Sequence, residues 1–191
     1  VEGLECLILA GRGISISTDA VALLIERGIP LFISNWVGFP LAALLPPSST
    51  GSALVRREQY LSLMDERGVK LAKNFAVGKV LNQASFLRRL ARSRRRTDRS
   101  LASKLEEGAA EVEEVAEEIS SLSIERLDFN SRARIMSLES RAASKYWSLF
   151  SEILPSGFVF PGRVTRGASD EVNCLLNLGY WYLRTKVLPA I

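Results

Sequence analysis

From Val69 to Arg92 the chain reads VKLAKNFAVGKVLNQASFLRRLAR, and its apolar residues return at three- and four-residue intervals. That spacing follows the helical turn and lays a continuous apolar stripe along one face. The same period recurs in almost every segment from Leu54 onward, so the larger part of this chain is predicted to be helical. RREQYLSLMDER forms a helix ahead of it, with Gly68 as the separator, and the Arg-rich stretch RSRRRTDRS (Arg92–Ser100) is a break. An acidic helix, LASKLEEGAAEVEEVAEEISSL, follows, and the next helix runs from Phe129 to Ile153. LPSGFVFPGRVTRGAS is then a loop. Ser169, Asp170 and Glu171 open a last helix whose apolar stripe is Val172, Leu175, Leu176, Gly179, Leu183 and Val187.

The first fifty residues follow a different pattern. Leu4–Ala10 and Ile29–Trp36 are short runs rich in Ile, Leu and Phe, and VGFPLAALL is a third strand candidate. Between the first two, Ser17 or Thr18 can cap a short helix that Gly28 stops. GRG (Gly11–Gly13) lacks the third glycine and the helix spacing of a dinucleotide fingerprint and is a turn. PPSSTGS (Pro46–Ser52) is a linker. The fold class is therefore α+β: a small β-rich N-terminal domain over residues 1–52, joined to an all-α domain over 53–191.

Hydrophobic residues make up 47% of the 191 and charged residues 24%, the balance of a soluble globular protein. No apolar run reaches the roughly 18 residues that span a bilayer, and no basic segment precedes an apolar core as in a signal peptide. No membrane association is expected. Cys6 and Cys174 lack a C-x-x-C neighbour and read as buried or inert thiols in a reducing, cytoplasmic setting. The absence of histidine excludes a His-based triad, a His metal ligand and an imidazole base within these residues. A start at Val1 and an end on TKVLPAI lead us to expect a fragment.

The net charge of +4 conceals segregation. Residues 1–55 carry two basic and four acidic side chains, a net of −2, whereas residues 56–104 carry fourteen against four, a net of +10. Residues 105–118 then bring seven glutamates and no base. A basic segment this dense suits neutralisation of phosphates along a nucleic-acid backbone, with arginine forks giving bidentate contacts. Pairing of the basic face with the acidic helix across a turn is the competing reading. Glu139 stands out for a different reason. It falls among Ile135, Ala143, Tyr146 and Phe150 on the helical wheel, and a carboxylate among apolar neighbours needs a partner, a proton or a metal. Arg132, two turns back, is one remedy; a divalent cation is the other, although one carboxylate cannot build such a site.

Four blocks carry a family resemblance: GRGISISTDAVALLIERGIPLFISN, RREQYLSLMDERGVKLAKNFAVGKVLNQASFLRRL, IMSLESRAASKYW and FPGRVTRGASDEVNCLLNLGYWYLRTKVLPAI. In order and spacing they resemble the CRISPR spacer-acquisition integrase, the first of the Cas proteins. The resemblance implies a metal-dependent DNA endonuclease and integrase that inserts short DNA segments into a repeat array by transesterification. It implies Mg²⁺ or Mn²⁺ held by a Glu, a His and an Asp, and the Glu matches Glu139, with the other two expected beyond Ile191. It further implies a homodimer formed through the β-domains, assembly with the second Cas protein, and double-stranded DNA, spacer precursor and repeat alike, as substrate. Arg57, Lys79, Arg88, Arg163 and Arg166 lie on or beside its motifs as DNA contacts. Asp170, Asn173 and Tyr146 are structural residues near the site. With the His and Asp missing, this chain alone is expected to be inactive, and a non-catalytic DNA-binding or scaffolding module is the alternative.

Overall fold

The computed structural model describes residues 2–35, 40–47 and 53–188. Two compact units emerge, one joining residues 1–56 with 158–191 and the other spanning 57–157. The division expected at residue 52 placed the last helix with the other helices; the compact units instead group residues 158–191 with the first 56.

In the first unit, β1 (Leu7–Ala10), α1 (Thr18–Glu26) and β2 (Leu31–Ser34) form a strand–helix–strand unit with β1 and β2 parallel. Strand β3 (Pro40–Leu44) pairs antiparallel with β2, which makes β2 the central strand, with Leu31, Phe32 and Ser34 buried. Ser17 caps α1 by accepting from the Ala20 amide at 3.2 Å. Gly28, at φ +70°, then supplies the left-handed residue that lets Ile29 N–H return to the Leu24 carbonyl at 2.8 Å. The expected strand–helix–strand order is thus present. Val37–Phe39 of the third strand candidate and Ser48–Ser52 of the linker lie outside the described residues.

The boundary between the units falls within α2 (Ala53–Ser62), between Arg56 and Arg57. The second unit continues with α3 (Glu66–Arg94), α4 (Arg99–Ser121) and α5 (Phe129–Glu152). Its core is one cluster: Ala76, Val80, Ala84, Leu87 and Ala91 from α3, Leu105, Ala109, Val112, Val115, Ala116 and Ile119 from α4, and Ile135, Ala142 and Leu149 from α5. These sets recur at three-, four- or seven-residue steps, the stripe geometry of packed helices. Gly68 is not a separator. Asp65 caps α3 by accepting from the Arg67 amide at 2.9 Å, and Gly68 sits inside the helix, because a β-carbon there would strike the Ser62 carbonyl.

The last helix, α6 (Glu171–Val187), begins at Asp170 as expected, but its buried face is different. Val172, Asn173, Trp181 and Thr185 are buried, whereas Leu175, Leu183 and Val187 of the expected stripe are exposed. The physical reason is Asn173: its side chain is bonded to the 162–164 segment, which fixes the inward face of the helix. Cys174 is exposed rather than buried.

Candidate functional site

Glu139 lies at the edge of the buried stripe of α5. The stripe follows Ile135, Ala142 and Leu149, which places Glu139 roughly 40–80° from its line, with its side chain 29% exposed. It borders a cavity of about 490 Å³ between α3 and α5. Ala72, Ala76 and Ile135 give the cavity an apolar wall, the exposed Phe75 and Met136 line it as well, and Lys79, Arg132 and Glu139 bring the charge. The Lys79 ammonium donates to Glu139 Oε1, so the carboxylate's partner is Lys79 from α3 and not Arg132, which only shares the cavity lining. Ala72, Ala76 and Lys79 recur at four and three residues along α3, and this pattern could have placed Lys79 on the cavity side. What no pattern contained was that α5 presents Glu139 to that same side. Tyr146 lies further along α5, its ring 6.2 Å from Phe86, 4.8 Å from Trp147 and 6.1 Å from Phe150.

Among the described residues no group of three or more His, Cys, Asp or Glu side chains could hold a metal ion. Glu139 supplies one carboxylate, and Mg²⁺ or Mn²⁺ requires several hard donors. These residues by themselves therefore do not fit a bound divalent cation.

Asn173 organises a second constellation in the first unit. It is fully buried. Its Oδ1 accepts from the Val164 amide (2.9 Å) and from Arg163 Nη1 (3.2 Å), and its Nδ2 donates to the Gly162 carbonyl (2.8 Å) and to Asp170 Oδ2 (2.9 Å). Asp170 Oδ1 accepts the Asn173 amide at 2.8 Å and caps α6. The Asn173 side-chain bond, reinforced by its backbone amide, holds the Asp170 carboxyl below the usual range. Arg163, fixed by its bond to the Val164 carbonyl, lies 5.2 Å over the Tyr180 ring. Arg166 is exposed in the same loop.

The remaining expected DNA contacts fall in different surroundings. Arg57 is exposed on α2. Arg88 is engaged by Glu113 of α4; that hydrogen bond raises the arginine's pKa and lowers the glutamate's. Lys73 donates to the Ser120 and Leu122 carbonyls at 2.5 and 3.0 Å and so caps the C-terminal end of α4. The acidic helix pairs mainly with α5, through Arg141–Glu118 and Lys145–Glu111, while Lys104 of α4 reaches Glu152 of α5 at 2.7 Å. Pairing with the basic helix is thus real but limited.

The family model for CRISPR associated protein Cas1 matches residues 1–191. The chain belongs to the Cas1 family. The CRISPR-associated endonuclease Cas1 1 of Archaeoglobus fulgidus is 33% identical over 196 residues, a match covering all of this chain and 56% of that relative. The chain spans about half the length of the curated Cas1 relatives it matches. Among solved structures, a casposase bound to integration product superposes with a TM-score of 0.73 at 21% identity, covering 98% of this chain and 61% of the casposase. A Cas6-RT-Cas1–Cas2 complex superposes at 0.69 and 20% identity over 97% of this chain and 19% of that one. At such identities the likeness shows the α+β fold of Cas1 proteins.

Proposed function

We propose that this chain is part of a DNA integrase and endonuclease that inserts short spacers into a CRISPR array by transesterification, a DNA 3′-hydroxyl attacking a phosphodiester. The observation that carries this reading is the Cas1 match along the whole chain. Support comes from the endonuclease relatives, from a casposase of the same fold bound to integration product, and from the place of Glu139, in the SLES block, at a cavity. In the longer protein Glu139 would supply one carboxylate ligand to Mg²⁺ or Mn²⁺, the other donors coming from outside the described residues, and a bound ion would supply positive charge to offset that of the reacting phosphate. The Lys79 ammonium holds the Glu139 carboxylate toward the cavity meanwhile. Double-stranded DNA, a second copy of the chain and the second Cas protein are the partners of this reading, and the Cas6-RT-Cas1–Cas2 neighbour supports the last of them.

Glu139→Gln in the full-length protein tests it. Strand transfer into a repeat-containing duplex should fall by about 10²-fold or more, with DNA affinity within roughly twofold of wild type. Undiminished strand transfer would remove Glu139 from the chemistry. A DNA-binding or scaffolding module is the second reading, favoured by the Lys79–Glu139 pair, in which the carboxylate already has a cationic partner. Strand transfer by the full-length wild type that is absent at every Mn²⁺ concentration, with DNA still bound, would favour it.

A further inference from the structure

The α3–α4 hairpin turns over at Arg92–Ser100, RSRRRTDRS. Helix α3 closes at Arg94 with Arg95 as its cap, and α4 opens at Arg99 behind Asp98. The turn is short and fixed: the Thr97 and Asp98 amides both donate to the Arg94 carbonyl, at 3.0 and 2.8 Å. Arg92, Arg95, Arg96 and Arg99 are exposed. Among the described residues none of the four makes an ion pair.

The carboxylates that could neutralise this tip are engaged or distant. Asp98 accepts the Leu101 amide at 2.9 Å as the cap of α4. Glu111, Glu113 and Glu118 pair with Lys145, Arg88 and Arg141. Glu106, the first glutamate of α4, lies about two turns beyond Arg99 and acts on Arg88 of α3, which is outside the turn, and among the described residues it makes no ion pair with the four arginines. The fold thus gathers four unpaired guanidinium groups around one rigid turn.

The identity of the residues selects the ligand. All the cations of the tip are arginines, whose planar forks match phosphate oxygens in pairs. No apolar side chain stands between Ala91 and Leu101, whereas a protein partner would be anchored by aromatic or aliphatic residues at the centre of its contact. We propose that the α3–α4 tip is a binding site for the phosphodiester backbone of DNA, read without regard to base sequence and distinct from the Glu139 cavity. It rests on the reading that the protein handles DNA, and within the basic segment 56–104 it singles out the four arginines that packing leaves unpaired, none of which is among Arg57, Lys79, Arg88, Arg163 and Arg166. Contacts to phosphate position a duplex but carry no sequence information.

The test uses the full-length protein, a fluorescein-labelled duplex of arbitrary sequence and a KCl series. Replacing Arg92, Arg95, Arg96 and Arg99 together by Ser should make the slope of log affinity against log salt shallower by about 3 to 4, since each phosphate contact contributes about 0.9. Affinity at low salt should fall at least about tenfold, equally for a second duplex of unrelated sequence, with the thermal melt unchanged. Lysine at the same four positions should preserve the slope and lose only part of the affinity, because the charge remains and the fork does not. A slope and affinity unchanged in the serine variant overturn the proposal. If that variant instead loses binding to poly-glutamate, the tip belongs to an acidic protein surface. Wild type that binds no DNA overturns this site and the integrase reading together, whereas loss of strand transfer in Glu139→Gln with an unaltered serine variant overturns the tip alone.

Discussion

Asn173 is fully buried, and both its side-chain oxygen and its side-chain nitrogen make two hydrogen bonds. That is the whole capacity of a carboxamide. Asn173→Ala would strand the Val164 amide and the Gly162 carbonyl and remove the side-chain bond to Asp170 Oδ2 while leaving the backbone cap intact, and should cost about 2–3 kcal/mol, measured by chemical denaturation of the full-length protein. On the proposal that Arg163 contacts DNA, the loss of affinity on replacing it should be smaller in the Asn173→Ala background, since the guanidinium has lost one of its holding partners. Glu139 is a contrasting case. Its pair with Lys79 is half-exposed, so Lys79→Ala should change stability by less than about 1 kcal/mol in the same measurement. The value of that pair lies in aiming a carboxylate rather than in holding the fold together.

Helices α3, α4 and α5 owe their stability to a core dominated by small and branched residues. Leu105 is entirely buried in it, and Leu105→Ala should destabilise the protein by about 2–5 kcal/mol, with the denaturation midpoint lowered and the slope unchanged. Four helices begin at an aspartate, namely Asp65, Asp98, Asp128 and Asp170. These caps are sequence signals of the plainest kind, an acceptor side chain just ahead of the helix. Of the four, Asp170 was readable beside Glu171, while Asp65 was obscured by the nearby Gly68. A glycine is an ambiguous mark. It ends α1 at Gly28 through a left-handed φ, but at Gly68 it serves close packing against the turn before α3, and only the packed structure separates the two uses.

For the molecule as a whole, acid is the informative perturbation. Asp65 is held below the usual carboxylate range by its side-chain bond with Arg67, Asp128 by the Ser131 amide, Asp170 by Asn173, and Glu113 by Arg88. A carboxylate with a lowered folded-state pKa contributes stability that is fully present above its unfolded value, about 4, and lost as pH falls through the folded value. Melting temperature should therefore be flat in this respect above about pH 5 and drop progressively below about pH 4, and Asp170→Asn should reduce the steepness of that drop. Among the described residues no helix is long and apolar enough to cross a membrane. The α+β class, the strand–helix–strand opening, the long helices and the dense basic segment all follow from periodicity, turn residues and charge. These are local properties, carried by neighbours a few residues apart. The partner of Glu139 is sixty residues away, the inward face of α6 depends on a loop about ten residues before it, and the arginines left unpaired are those that α4 and α5 did not engage. Such outcomes depend on which side chains meet once helices have packed, and composition and spacing along one strand of sequence do not contain that geometry. The chain's own residues determined its elements and its charge; tertiary packing alone decided which charges are already paired and which remain for a ligand.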